Sequence, residues 1–284
     1  MAGTAEGVLA GEGVLAGYDG SLGSEQALSW AAREARSRGV VLTVCHVFWG
    51  LGYPAPVNPA AALDLGRQTG EQVIAPALRY ARQVMGPRQV RPLLVGGSAA
   101  AVLCERSAAA QMVVVGSRGR GGLAGLLLGS VSSQVAAHAH GRVVVVRGHW
   151  WPAAGCVPGP VVAGADGSPA SQPALAFAFE EAALRDVPLL AVCALADAPG
   201  GFGGARRIED EFERSVDRWA KEHPEVAVER RVVAGPARAA GRGTAQLLVV
   251  GSRGRGGIGG MRLGSVSQAV LHHASCPVAV AHRP

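Results

Sequence analysis

The stretch MVVVGSRGRGG (Met112–Gly122) recurs later in the chain as LLVVGSRGRGG (Leu247–Gly257). In both copies a short Val-rich run, which is typical of a buried strand, leads directly into a turn rich in glycine and arginine. Each copy then reaches a Gly-Ser pair, Gly129-Ser130 or Gly264-Ser265, where a helical pattern starts. The sequence therefore predicts a strand, a glycine loop and a helix that occur twice.

Two further landmarks recur in the same order, which shows that a whole unit is repeated and not a single loop. GVLAGYDGSLGSEQAL (Gly13–Leu28) pairs with PVVAGADGSPASQPAL (Pro160–Leu175), and TVCHVF (Thr43–Phe48) pairs with AVCALA (Ala191–Ala196). The chain of 284 residues is long enough for two domains.

A stretch rich in proline and glycine, without apolar periodicity, separates the two copies and is typical of a linker. We therefore predict a first domain over residues 1–149, a linker over 150–158 and a second domain over 159–284.

Short apolar runs alternate with helical patterns within each copy. The strands are continuously apolar and do not alternate with polar residues, which indicates a parallel sheet covered by helices on both faces. The fold class is therefore α/β, as two tandem doubly wound, Rossmann-like domains. The predicted strands of the first unit are Val14–Tyr18, Val40–Val47, Val90–Val95, Met112–Val115 and Arg142–Val146. Its predicted helices are Ser24–Ser37, Leu63–Met85, Ser98–Ala110 and Ser130–His140.

Composition favours an intracellular protein. The five cysteines are scattered, the first residues lack the basic start of a signal peptide, and no apolar run is long enough to span a bilayer. We therefore expect a cytoplasmic location and no membrane partner. The net charge of +6 comes almost entirely from arginine, since Lys221 is the only lysine.

Two segments are expected at the carboxyl edge of the sheet, where ligands bind in open parallel sheets. Asp19 follows the first strand, and the loop from Gly116 to Ser130 follows the fourth. Glycines let backbone N–H groups approach a ligand, and a helix N-terminus adds free donors and partial positive charge. The two features together predict an anion site. Simple tight turns would also explain the glycines, and an Asx turn would explain the aspartate.

The serines that follow these loops fit helix caps. Ser130 has the chemistry of an N-cap, and Ser265 with Gln268 matches a capping box.

The spacing G-2x-G-9x-G-[S/T] after a Val-rich strand, with Asp-Gly-Ser after the first strand, resembles the nucleotide-binding signature of the universal stress protein family. The resemblance covers nearly the whole chain as a tandem pair of domains of the ATP-binding type. It implies a five-stranded parallel sheet of order 3-2-1-4-5 in each unit, with ATP as the ligand and Mg²⁺ left open.

The resemblance also implies roles for individual residues. Asp19 and Asp166 contact the adenine and ribose side, and the backbone of Val47 and of Leu195 meets the adenine edge. The phosphate contacts it implies are Gly116, Gly119, Gly129, Ser130, Gly251, Gly254, Gly264 and Ser265, with Ser132 and Ser267 as further contacts.

The second unit departs from the first around its loop. His46 is replaced by Ala194 and Leu127 by Arg262, and the counterpart of the helix before the fourth strand, Pro236–Gln246, is shorter and contains two glycines. Glycine within a helix costs about 1 kcal/mol relative to alanine. The prediction is nucleotide binding in both units, with the second as the more altered copy.

Three function classes compete. The leading hypothesis is a nucleotide-dependent regulatory role in a stress response, without strong catalysis and with an unidentified protein partner. Slow ATP hydrolysis is the first alternative. Fast turnover is not expected, because neither loop contains a Walker-type lysine or an evident general base. Nucleic-acid binding through the Arg/Gly loops is the second, and it is disfavoured because each SRGRGG segment is single and lies between a strand and a helix.

The last strand of each unit, Val143–Val146 or Val278–Val280, is apolar and would otherwise leave an unpaired edge. We expect the two to pair as an intrachain pseudo-dimer, with further homodimerisation left open.

Overall fold

A computed structural model describes residues 13–48, 59–121, 127–147, 159–195, 201–233, 245–255 and 263–283. Ten strands and seven α-helices are present in this described part of the chain. The strands form a single sheet with helices on both faces, so the α/β class predicted from the sequence is confirmed.

The first unit contains five strands in the positions predicted, within two residues at each end. They are β1 (Val14–Gly17), β2 (Leu42–Phe48), β3 (Val90–Gly96), β4 (Met112–Gly116) and β5 (Arg142–Val146). The helices of this unit are α1 (Leu22–Arg38), α2 (Pro59–Met85), α3 (Ala99–Ser107) and α4 (Ser130–His138).

The second unit repeats this order, and its glycine loop again lies between a strand and a helix. Its strands are β6 (Val161–Gly164), β7 (Leu189–Ala194), β8 (Val228–Val233), β9 (Leu247–Gly251) and β10 (Val278–Ala281). Its described helices are α5 (Gln172–Arg185), α6 (Gly201–Glu222) and α7 (Ser265–His273). Most of the expected helix Pro236–Gln246 and the predicted linker 150–158 lie outside the described residues, so the domain boundaries stay a prediction.

The strand order across the sheet is β3-β2-β1-β4-β5-β10-β9-β6-β7-β8. Each half therefore has the expected order 3-2-1-4-5, with all neighbours within a half parallel. The halves join where β10 pairs antiparallel with β5, in the register Val278↔Val145. This pairing confirms the expected intrachain pseudo-dimer and leaves neither last strand as an open edge.

The inner strands are buried on both faces, as their composition predicts, whereas the outermost strands β3 and β8 are partly exposed. Along β1, Val14 and Ala16 pack in the cluster with α1, α2, α5 and α6, whereas Leu15 packs in the cluster with α3, α4 and α7. Reversal of the strand order at β1 and β4 leaves the carboxyl ends of these two strands side by side, and the same holds for β6 and β9.

The two units also meet through a buried cluster of charges between α1 and α5. Glu34 and Glu181 are almost fully buried and face Arg38 and Arg185, with Arg185 Nη2 lying 2.7 Å from both Glu34 Oε2 and Glu181 Oε2. Arg38 completes the cluster through Glu34 and Glu181.

The pKa values of the two glutamates in this cluster are shifted in opposite directions. Burial, and then the neighbouring Glu34 charge, raise the pKa of Glu181 to about 8. Burial also acts to raise the pKa of Glu34, but Arg185 and Arg38 outweigh it and lower the pKa of that carboxyl. Glu181 is therefore the member of the pair that holds a proton near neutral pH.

Candidate functional site

The predicted site lies at the carboxyl ends of β1 and β4. There the loop that follows β1 contacts the loop that follows β4. Asp19 is half-buried in the loop between β1 and α1. Its Oδ1 accepts a hydrogen bond from the Ser21 backbone N–H at 2.9 Å, and its Oδ2 accepts one from the Arg120 backbone N–H at 2.9 Å. One carboxylate therefore forms an Asx turn and also holds the glycine loop against it.

These bonds set the charge state of Asp19. Burial acts to raise its pKa, but the hydrogen bonds from Ser21 and from the Arg120 backbone, together with Ser24, outweigh it and lower the pKa of the carboxyl. Asp19 is therefore ionised at neutral pH, and its negative charge is held by backbone donors.

Asp166 repeats the arrangement in the second unit. Its Oδ1 accepts from the Ser168 backbone N–H at 3.0 Å, and its Oδ2 accepts from the Arg255 backbone N–H at 2.9 Å. Both halves of the chain thus place an aspartate and a glycine loop in the same relation, as the sequence predicts.

The structure gives a different reason for the first two glycines than ligand approach. An added Cβ at Gly116 would lie 2.5 Å from the backbone of Gly23, and one at Gly119 would lie 2.4 Å from Asp19 Oδ2. At Gly251 and Gly254 the nearest atoms would be the Ala170 and Asp166 oxygens, at 3.0 and 3.1 Å. These glycines therefore bring the loop against α1 or α5 and against the aspartate.

The third glycine differs from the first two because an added Cβ would fit there without a clash. A Cβ at Gly129 would make contacts of 3.4–3.5 Å, and one at Gly264 contacts of 3.6–3.8 Å, which are ordinary van der Waals distances. The Gly129 N–H donates to the Ser117 carbonyl at 2.7 Å, and the Gly264 N–H donates to the Ser252 carbonyl at 2.8 Å. Each loop is closed at its base by this bond.

The expected serine caps are wrong. The N-caps of α4 and α7 are Gly129 and Gly264, which have extended backbone conformations and no side chain to accept a bond. Ser130 and Ser265 are instead the first helical residues and are exposed, and the Gln268 N–H donates to the Gly264 carbonyl. The first-turn amides of both helices therefore have no side-chain acceptor at the cap, which suits an external anion.

Ser132 and Ser267 lie deeper than phosphate contacts would require. Both are buried, and their hydroxyls donate to backbone carbonyls at the base of the loop. Ser132 Oγ lies 3.0 Å from the Ser117 and Gly129 carbonyl oxygens, and Ser267 Oγ lies 2.6 Å from that of Gly251. In this state they fix the start of the helix and do not face solvent.

Of the two positions expected at the adenine edge, one lies on β2, the neighbour of β1, and the other follows β7, the neighbour of β6. Val47 is half-buried near the end of β2, and Leu195 follows β7. The Leu195 N–H donates to the Val233 carbonyl at 2.9 Å. Beside Val47, the buried His46 ring approaches the Tyr18 carbonyl through Nδ1 at 2.8 Å, whereas Ala194 offers no such contact.

Two residues that the sequence did not mark make hydrogen bonds between the units. Arg147 follows β5 and donates to the Leu271 carbonyl on α7 at 2.5 Å and to the Leu127 carbonyl at 2.8 Å. His282 follows β10, and its Nε2 lies 3.0 Å from the Ala136 carbonyl on α4. Comparing the residue after the last strand of each unit would have marked both positions. These contacts tie each last strand to the other unit's loop helix.

Other ligand and membrane features are absent from the part of the chain described above. That part contains no group of three or more His, Cys, Asp or Glu side chains that could hold a metal ion. It also contains no helix with the length and apolarity needed to cross a bilayer.

Comparison with known proteins agrees with this duplicated architecture. The model of the universal stress protein family matches residues 12–147 and again residues 159–282. The universal stress protein Rv2005c of Mycobacterium tuberculosis is 40% identical over 288 residues, covering 95% of this chain and 97% of that protein. A universal stress protein of Mycolicibacterium smegmatis is 39% identical, covering 94% of this chain and 96% of its own length.

A solved structure shows the same fold over the same extent. The crystal structure of a universal stress protein from Archaeoglobus fulgidus covers 98% of this chain and 98% of its own, with a TM-score of 0.71 at 20% identity. The repeated strand–loop–helix unit, the two family matches and the full-length relatives lead to one assignment. This chain belongs to the universal stress protein family and carries two of the family's domains in tandem.

Proposed function

We propose that this protein binds ATP at the glycine loop of its first unit and acts as a nucleotide-dependent regulator in a stress response, without fast catalysis. The observation that carries the proposal is the start of α4 at Gly129, which has no side-chain cap and ends the loop whose Arg120 amide bonds the ionised Asp19. First-turn amides and the helix dipole suit phosphate oxygens, and the carboxylate suits the hydroxyl or amino donors of a nucleoside.

Further support comes from the distribution of charge around the loop. Arg118 and Arg120 are exposed on the first loop and supply positive charge beside the helix N-terminus. With Lys221 as the chain's only lysine, no Walker-type lysine can clamp a transferring phosphate. This fits a site that holds the nucleotide more than one that turns it over. Mg²⁺ would accompany ATP through the phosphates and not through a ready cluster of protein ligands.

The cysteines support placing this function in the cytoplasm. Cys45, Cys104, Cys193 and Cys276 are free thiols. Burial raises the pKa of Cys45 and of Cys193 to about 12, and that of Cys276 to about 11, so these thiols are protonated and unreactive. Such thiols fit a reducing compartment.

The test is to denature the purified protein, identify any released adenine nucleotide, and add ATP to the stripped protein. ATP at a hundred times its dissociation constant stabilises a single site by about 2.7 kcal/mol. For a chain of this size the melting temperature would rise by about 5–10 °C. The absence of both released nucleotide and thermal stabilisation at millimolar ATP would refute the proposal. Single-turnover conversion of ATP to ADP would instead favour the hydrolytic alternative.

A further inference from the structure

The arginine that follows the second loop glycine has different partners in the two units. Arg120 is exposed, and its Nη1 lies 3.5 Å from the Asp19 carbonyl oxygen. Arg255 is half-buried, and its Nε and Nη2 donate to the Asp166 carbonyl at 2.9 and 2.8 Å. Arg255 Nη2 also bonds the Glu211 carboxylate, an ion pair that Arg120 lacks within the described residues.

The difference originates in the helix that packs over the aspartate loop. Gly20 and Gly167 occupy the same place after Asp19 and Asp166, and both have positive φ. The nearest atom to an added Cβ at Gly20 is Val73 Cγ1 of α2, at 3.4 Å. At Gly167 the nearest atoms are the backbone of Phe212 and Glu211 of α6, at 2.4 and 2.5 Å. The helix thus lies closer in the second unit and presents a carboxylate where the first has an apolar side chain.

The resulting Arg255–Glu211 clamp changes the charge offered to a ligand. Arg255 and Glu211 are both shielded, with side-chain exposures of 22% and 29%, and the hydrogen bond from Arg255 lowers the pKa of Glu211. Glu211 therefore stays ionised and pairs with the Arg255 guanidinium, as well as with a second arginine of its own helix. In addition, the clamp lies across the Asp166 carbonyl, and Ser215 Oγ contacts the Gly167 carbonyl at 3.4 Å. A polyphosphate therefore finds the Arg255 guanidinium already paired, and an aspartate loop that is more covered than in the first unit.

We infer that the Arg255–Glu211 clamp makes the second unit the weaker of two nucleotide sites, so that ATP fills the first unit alone over a range of concentrations. The inference rests on the proposed function, since it ranks two sites for the same ligand. It assigns to Glu211 the role of a specificity-determining residue that acts through Arg255.

The experiment is a calorimetric titration of Mg-ATP into the full chain and into exchanged variants. The wild-type protein should show one tight site and a second site at least about tenfold weaker. Glu211→Val, which gives α6 the residue type of Val73, should strengthen the weak site by about tenfold and leave the tight site unchanged. The reciprocal Val73→Glu should weaken the tight site and leave the other unchanged.

Glu213→Gln is the matched control, because Glu213 lies on the same helix but pairs with Arg230 at 2.7 Å, away from the clamp. Both dissociation constants should be unchanged in this variant. Two equal sites in the wild type, or a weak site that is indifferent to Glu211→Val while Val73→Glu also has no effect, would overturn the inference and leave the proposed function intact. No binding heat in the wild type or in any variant would overturn the proposed function, and the inference with it.

Discussion

The two glycine loops share their backbone contacts and differ in what packs against them. In both units an aspartate accepts from a turn amide and from a loop amide, and the third glycine closes the loop at its base. In the first unit Arg120 remains exposed, whereas in the second Arg255 is held by Glu211 of α6. The loop itself is therefore the same in both units, while the covering helix, which lies outside the motif, differs between them.

The largest difference between the two units is expected when a methyl group is added at the second glycine of each loop. Gly119→Ala would place Cβ 2.4 Å from Asp19 Oδ2, whereas Gly254→Ala would place it 3.1 Å from Asp166 Oδ2. Overpacking costs about 1–3 kcal/mol of stability. Because the loop must move away from Asp19 to relieve the clash, the first variant should also lose about 10- to 100-fold in ATP affinity at the first site. The second variant should lose less than about tenfold at the second site, because its neighbour has less to move. Calorimetry measures both, and equal losses would contradict the steric account.

A second pair of variants separates effects on ATP binding from effects on the stability of the fold. Gly129→Ala and Gly264→Ala have room within the protein, since the added Cβ meets nothing closer than 3.4 and 3.6 Å. Each should cost less than about 1 kcal/mol of stability, as alanine is a poorer N-cap than glycine, yet weaken ATP at its own site by about tenfold.

Gly121→Ala is the control for these two variants. Gly121 lies in the first loop, and its added Cβ meets nothing within 4 Å, so the affinity should not change. Thermal unfolding with and without ATP distinguishes the two effects. A Gly129→Ala protein that binds ATP normally would remove the α4 N-terminus from the site.

The buried charge cluster between the units makes the stability of the fold depend on pH. Because the folded-state pKa of Glu181 is raised from 4.5 to about 8, the folded chain keeps a proton that the unfolded chain releases in this range. The stability this gives is fully present below about pH 4.5 and is lost as the pH rises toward 8. His282 acts in the opposite sense, since burial lowers its pKa and its share of stability grows as the pH rises through the normal range of histidine.

Replacing the glutamate isolates its contribution. Glu181→Gln should remove the alkaline loss, so its melting temperature should fall less than that of the wild type between pH 5.5 and 8.5, by several degrees at about 2–4 °C per kcal/mol. The charged groups that face Glu181, namely Glu34, Arg38 and Arg185, remain in place. Parallel pH profiles for the two proteins would contradict the assignment of the proton to Glu181.

The smallest expected effect concerns the buried serines. Ser132→Ala and Ser267→Ala each remove a hydroxyl that donates to a backbone carbonyl, and each should cost about 1 kcal/mol, or about 2–4 °C in melting temperature. ATP affinity should change by less than about threefold, since these hydroxyls position the helix. Loss of affinity without loss of stability would instead make the serines phosphate contacts.

Most of the fold could be predicted because the information is local and repeated. Continuous Val-rich runs such as Val143–Val146 require burial on both faces, and the repeated landmarks fixed the number of units. Strand order came from the family resemblance, and the β5–β10 pairing from the need to cover two apolar edges. The serine caps failed because Gly129 and Gly264 adopt an extended cap conformation one residue earlier, which composition does not reveal.

The differences between the two sites could not be predicted because they depend on distant packing. Glu211 lies on an amphipathic helix among many charged residues, and no motif marks it as the one that reaches Arg255. Likewise, Arg147 reaches Leu271 only because β5 and β10 pair in one particular register. Such contacts between segments far apart in sequence exist only once the sheet has assembled.

Hydrogen exchange with increasing Mg-ATP tests directly whether the ligand binds first at the glycine loop of the first unit, because it reports where the ligand binds. Peptides containing Asp19–Ser24 and Leu128–Ser133 should become protected first. Peptides containing Asp166–Ser171 and Leu263–Gln268 should follow only at about tenfold higher concentration. No protection at either pair of segments, or protection that begins at the second unit, would contradict this expectation.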